Sequence, residues 1–165
     1  VGGVSWNARL DSQLGMFHWD AEKNLSANIM MNPDTLICMN AAFEILSVLL
    51  PEREEYVTLY SKTVDLLMAL GAGNTDAYLA WEINLLGDLG YALDLSKCSG
   101  CGKSDDLNFL SPRTGRAVCD KCAAPYISKL YKLPVNLSTT LRFLENICVQ
   151  QGVDIPQMRR MIKNI

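Results

Sequence analysis

Residues 98–122 read CSGCGKSDDLNFLSPRTGRAVCDKC and hold four of the chain's six cysteines. Cys98 and Cys101 form one close pair, Cys119 and Cys122 a second, and 17 residues separate the pairs. Disulfides need an oxidising compartment, and nothing in the chain signals export. Redox catalysis by C-x-x-C uses one such pair at the start of a helix in a βαβ unit; here there are two pairs and no such context. The third reading is a tetrahedral metal site. Each C-x2-C turn offers two thiolates to one ion, two such turns complete the shell, and the spacing falls in the zinc range. Bare thiols, iron and redox chemistry remain the alternatives. The intervening residues fit the metal reading. LNFLS and RAVC alternate like strands, PRTG between them is a good turn, and Gly100 and Gly102 allow backbone amides to face sulfur. Residues 97–123 are therefore predicted to form a zinc ribbon with Zn2+ on Cys98, Cys101, Cys119 and Cys122. A closed four-thiolate shell leaves no position for substrate or activated water, so the ion is expected to hold structure and do no chemistry.

Charge divides around this stretch. Residues 1–96 carry 4 Lys/Arg and 13 Asp/Glu, whereas residues 97–165 carry 11 and 5. A basic half attracts polyanions even when the whole chain is acidic, at -3 here. Seven cations lie in residues 97–132: Lys97, Lys103, Arg113, Arg116, Lys121, Lys129 and Lys132. Three acids share that stretch, and four thiolates with one zinc dication add about -2, so the local balance is about +2. Arg113 and Arg116, at the hairpin tip, are the best candidates to meet phosphates. The competing reading is that some of these cations only offset the thiolates.

Outside the ribbon the chain reads as mainly helical. Length (165 residues) and apolar content (49%) suffice for one domain with a real core. VSWNARL, DSQLG and MFHWDAEK read as strand, turn and strand, with Val4, Trp6, Ala8 and Leu10 on one face expected to be buried. A helix is predicted from Pro33 to Leu50 with Asp34 as N-cap. It is apolar except for a stripe of Asn40, Glu44 and Ser47, which suits the centre of a bundle. PEREEY is expected to open a second helix to Leu70, with Glu52, Glu54 and Glu55 in its first turn. A third covers AYLAWEINLLGDLG to Gly90. APYISKLYKLP suggests a short helix before Pro134, Ser138 caps another to about Gln150, and a last one runs from Pro156 towards Ile165.

Other residues invite bland readings. Cys38 and Cys148 sit in apolar helical runs, as small core residues do. His18 shares a strand face with Met16 and Asp20 and is expected at the surface. Trp6, Phe17 and Trp19 fit a sheet-to-helix interface better than base stacking. Ser111 lacks a base partner, and no phosphate-binding, zincin or dinucleotide motif occurs. No enzyme is indicated. No run of about 18 uncharged apolar residues is present, so no membrane helix is expected, and VGGVSWNARLD lacks the features of a signal peptide.

The stretch WEINLLGDLGYALDLSKCSGCG, continuing through DLNFLSPRTGRAVCDKCAAPY, resembles the bacterial RecO recombination-mediator family, as do LLPERE and ARLDSQLGMF. That resemblance implies an N-terminal OB-fold followed by a helical domain with a zinc module. It implies binding of single- and double-stranded DNA, annealing, and work with RecR to load RecA in place of single-stranded DNA-binding protein. It also implies a cytoplasmic, nucleoid-associated location. An OB-fold needs about five strands, and two are offered. Residues 1–24 are therefore expected to be a partial OB-fold, its last two strands, in an N-terminally truncated or shortened member. Residues 33–165 would be the helical domain carrying the ribbon. A zinc-stabilised protein-interaction module without DNA binding is the rival; a redox enzyme using its cysteine pairs is a third class.

Overall fold

The computed structural model describes residues 1–9 and 14–162. Leu10, the DSQ of the expected turn and the final residues 163–165 lie outside them. The elements in chain order are β1 (Gly2–Asn7), β2 (Met16–Ala21), α1 (Ser26–Ile29), α2 (Pro33–Leu49), α3 (Val57–Gly71) and α4 (Ala77–Asp88). Then come β3 (Leu107–Leu110), β4 (Ala117–Cys119), α5 (Asp120–Ala123), a 3-10 turn (Ala124–Lys129), β5 (Tyr131–Lys132), α6 (Leu137–Gln151) and α7 (Gln157–Met161). The fold is mainly α with two small antiparallel sheets, as the sequence suggested.

α2 is the central helix. It packs on α1, α3 and α7, while α4 bridges α3 and α6. Cys38, Ala41, Ala42 and Ile45 are fully or almost fully buried, and Leu70, Leu85, Leu86, Leu144 and Ile147 close around them. Cys38 and Cys148 are buried as expected. The polar stripe of α2 has a use: Glu44 Oε2 accepts from the backbone N–H of Met158 (3.2 Å) and so holds the start of α7. No described helix is long and apolar enough to cross a membrane.

Several boundaries differ from expectation, each for a local reason. Asn32, not Asp34, caps α2, its side chain accepting from Asp34 N at 2.9 Å, with Pro33 as the first helical residue. Asn136, not Ser138, caps α6 by accepting from Thr139 N at 3.0 Å. Asn136→Ala is expected to cost about 1 kcal/mol and lower the melting temperature by roughly 2–4 °C; an unchanged thermal melt would deny the cap its role. Glu52, Glu54 and Glu55 are not in a helix turn. Arg53 sits at φ 65° and α3 begins only at Val57, so these carboxylates lie on an exposed connector. APYISKLYKLP is a 3-10 turn followed by β5, not one helix.

The hairpin departs most. β1 and β2 pair in register, Val4 opposite Trp19 and Trp6 opposite Phe17. The expected buried face is open: Val4, Trp6, Phe17 and Trp19 are 54%, 45%, 70% and 61% exposed. Only the Val4–Trp19 end leans towards α2 and α3, leaving a groove of about 560 Å³ lined by Phe43, Leu46, Leu59 and Leu67. Trp6 and Phe17 meet each other at 4.6 Å between rings and not a helix. His18 lies exposed on the other face.

Candidate metal centre and basic cleft

The ribbon is built as its sequence suggests. β3 pairs with β4, Phe109 opposite Val118 and Leu110 opposite Ala117, and β5 joins the free edge of β3. The tip closes through Ser111 N to Arg116 O and Gly115 N to Ser111 O, both 2.9 Å. Backbone bonds from Asp94 N to Gly115 O and from Ala117 N to Asp94 O, each 2.9 Å, tie the tip to the segment leaving α4. Leu110 reaches into the main helical core, so the finger is seated on the bundle. The rest of the ribbon has only a small apolar cluster of its own: Cys98, Val118, Cys119 and Ala123, with Leu107, Phe109 and Leu130 against them.

The sulfurs of Cys98, Cys101, Cys119 and Cys122 all lie within 4.8 Å of one another, and Cys101 Sγ and Cys119 Sγ are 3.6 Å apart. A tetrahedral zinc–thiolate shell with bonds of about 2.3 Å has sulfur–sulfur edges of about 3.8 Å, so this donor set is the right size. The backbone fits too. Gly100 N and Cys119 N each donate to Cys98 Sγ at 3.3 Å. A Cβ on Gly100 would stand 3.0 Å from Cys122 Sγ, so a side chain there would press that sulfur aside. Gly102, at φ 75°, completes the reversal. The amide of Cys119 is the main influence holding the Cys98 thiol down to about 6, with help from the amides of Cys101 and Gly100 and against burial. Hydrogen bonding among the sulfurs, with Cys119 first and then Cys101 and Cys98, pushes Cys122 up to about 12. Protons crowded among four sulfurs are what a bound dication displaces. All four residues would hold the ion, which would supply a cross-link between two turns.

The seven cations are not one patch. Arg113, Arg116 and Lys129 line a cleft of about 760 Å³ beside the ribbon, floored by Gly100 and Cys122. Ser99, Ser111 and Thr114 add hydroxyls, Tyr126 adds an aromatic wall, and no carboxylate lines it. Lys103 and Lys121 face a second groove with Asp105, Asp106 and Asp120. Lys97 and Lys132 are exposed and belong to neither. Among the described residues none of the seven is within ion-pair distance of a carboxylate; the two ion pairs there are Lys62–Asp88 and Arg159–Glu82. Asp94 is held below the usual carboxylate range mainly by hydrogen bonds from Ser96, with smaller contributions from Arg116 and Lys97.

Comparison with known proteins adds the family. The family described as "Recombination protein O C terminal" matches residues 30–161, well over half of the chain. The chain belongs to the RecO family. A protein named "DNA repair protein RecO" from Jannaschia sp. (strain CCS1) is 38% identical over 145 residues, covering 87% of this chain and 59% of that relative. Its namesake in Roseobacter denitrificans is 41% identical over 133 residues, covering 79% and 55%. The Cereibacter sphaeroides (strain ATCC 17025) RecO is 40% identical over 135 residues, covering 81% and 56%. The chain thus spans somewhat more than half the length of these RecO proteins. No solved structure matches it.

Two features escaped the sequence reading. Tyr126 carries no local signal of its place, because the cleft joins it to Arg113 and Arg116, ten or more positions away. Glu82 and Arg159 were passed over although they form a fully buried pair. A lone acid in the apolar run LAWEINLL was the available signal.

Proposed function

We propose that this chain is the DNA-binding, zinc-stapled part of a non-enzymatic recombination mediator in DNA repair. It binds single- and double-stranded DNA, assists annealing, and with RecR helps RecA replace single-stranded DNA-binding protein, in the cytoplasm at the nucleoid. One observation carries the reading: Arg113, Arg116 and Lys129, none of them ion-paired, share one acid-free cleft. Lys97, Lys103, Lys121 and Lys132 lie outside that cleft, Lys103 and Lys121 beside Asp105, Asp106 and Asp120, and would add further phosphate contacts around the finger. Three cations exceed the charge of about -2 on a zinc–thiolate cluster, and guanidinium forks suit phosphate oxygens. Residues 33–165 form the helical domain with the ribbon at 97–123. Residues 1–24 are the last two strands of an OB-fold; the open apolar face of the hairpin, and its outer edges, unpaired among the described residues, favour a larger sheet.

Salt titration tests this. Affinity for DNA is expected to fall steeply between about 50 and 200 mM salt, with log–log slope proportional to the phosphates contacted. Arg113→Ala with Arg116→Ala should weaken binding at least tenfold and flatten the slope by roughly 1 per lost contact. Salt-insensitive binding, or an unaffected double variant, would reject the reading. It would favour the rival, a protein-interaction module, which draws support from the apolar groove between the hairpin and α2–α3.

A further inference from the structure

The cleft beside the ribbon holds more than cations. Tyr126 is 57% exposed, and it stands three residues before Lys129 on the 3-10 turn that follows α5. Side chains three apart on such a turn eclipse one another. One wall therefore presents an aromatic face directly beside a charge. Arg113 and Arg116 line the same cleft from the hairpin tip, with Ser111 and Thr114 between and beside them. At about 760 Å³ the space matches sites that take small ligands, roughly 300–1,000 Å³. The volume is enough for a nucleotide.

We propose that Tyr126 makes this cleft distinguish unpaired from paired nucleic acid. A base freed from pairing lies on the Tyr126 ring, while the phosphates flanking it meet Lys129 on one side and Arg113 and Arg116 on the other. A duplex keeps its bases stacked inside and offers the cleft phosphates alone. Stacking tolerates every base, so the preference is for strandedness and not for sequence. This rests on the proposed DNA binding at the ribbon and adds the residue that sets its preference.

The test uses the full zinc-loaded chain and three labelled ligands of equal length: an oligothymidylate, a blunt duplex, and an abasic sugar–phosphate strand. Binding is followed by fluorescence anisotropy at fixed low salt. Tyr126→Leu is expected to weaken oligothymidylate binding about tenfold and to leave the duplex, the abasic strand and the salt slope unchanged. Tyr126→Phe should retain the wild-type preference, since the ring and not the hydroxyl does the stacking. Tyr126 is exposed, so both variants should melt as the wild type does. An equal loss for all three ligands, or no loss for any, overturns the proposal. The arginine double variant separates the two readings. If it lowers all three affinities while Tyr126→Leu changes none, DNA binding stands and the stacking role falls. If it changes none, DNA binding at the ribbon falls and the stacking role with it.

Discussion

Cys119→Ser is expected to strip the metal from this chain and unfold the ribbon while the helical bundle stays folded. Cys119 is an informative position because it is buried and because serine removes its sulfur while leaving its backbone amide in place. Its sulfur lies 3.6 Å from Cys101 Sγ, and its buried backbone amide donates to Cys98 Sγ. Metal binding by structural zinc sites is worth about 10–16 kcal/mol at neutral pH. A fully buried Val or Leu is worth about 1.5–3 kcal/mol, and the ribbon's own cluster buries only Val118 and Ala123 besides two of the cysteines. A zinc ion held there would therefore outweigh the ribbon's own apolar cluster. The bundle differs: its core runs through α2, α3, α4 and α6 and meets the ribbon mainly through Leu110 and Tyr131.

The expected readouts follow from that division. Wild-type protein should carry about one zinc per chain by elemental analysis, and the variant none. Hydrogen-exchange protection should vanish across residues 98–132 and persist in α2, α4 and α6. The main thermal transition should drop by several degrees, because Leu110 no longer fills its place. A chelator should reproduce all of this in the wild type. If metal-free protein keeps its ribbon protection, or if alanine at all four cysteines leaves the melt unmoved, the metal does not hold this fold.

The ribbon was legible because its information is local. Two C-x2-C turns, two alternating strands and a PRTG turn all fall within 25 residues, and each implies its geometry without help from the rest of the chain. α2 was legible for a similar reason, since an apolar surface nearly all round has one place to go. Where the reading failed, a longer-range choice decided. The carboxylates of PEREEY would suit a helix start, yet the first buried residue of α3 is Leu59. An earlier turn would have projected into solvent, and Arg53 at positive φ breaks it. The asparagines won the caps because each stands where its amide oxygen reaches the first free N–H groups. The hairpin alternation was read correctly as a period but wrongly as burial, since nothing within a strand says what covers it. The cleft was invisible for a further reason: Ser99, Arg113 and Tyr126 meet only once the finger has folded.

Arg159→Met is expected to destabilise the chain by about 3–5 kcal/mol, the usual cost of leaving one half of a buried ion pair alone. Arg159 and Glu82 are both fully buried, though 77 residues apart in sequence. Arg159 meets Glu82 through Nε and, at 2.7 Å, through Nη2 to Oε2. The same guanidinium donates to Leu137 O at 2.7 Å, Thr140 Oγ1 at 3.2 Å and Ile162 O at 3.2 Å. Tyr78 donates its hydroxyl to Glu82 Oε1 at 3.2 Å; burial first, then the Glu82 charge, hold that phenol well above its ordinary pKa, so it remains a donor. One side chain thus joins α4, α6 and α7, and no buried polar side-chain atom among the described residues lacks a partner. Removing the guanidinium leaves the Glu82 carboxylate with the phenol alone and frees Ile162 O, while Leu137 O keeps the Thr140 hydroxyl at 3.2 Å. For a chain of this size the melting temperature should fall by roughly 10–15 °C. Glu82→Leu should do comparable damage by stranding the cation. The double variant decides between charge and packing. Because a buried pair can be exchanged for apolar residues at little cost, Glu82→Leu with Arg159→Met should lose markedly less than the two singles together. It should not return to wild type, since Ile162 O and the Tyr78 hydroxyl lose the partners the pair gave them, each worth about 1 kcal/mol. Strictly additive losses would mean the two residues act independently, contrary to the geometry. The pair lies in the bundle and not at the cleft, so below its lowered melting point each variant should bind DNA as the wild type does. A variant that stays folded yet loses binding would tie DNA binding to the arrangement of the bundle and not to the finger alone.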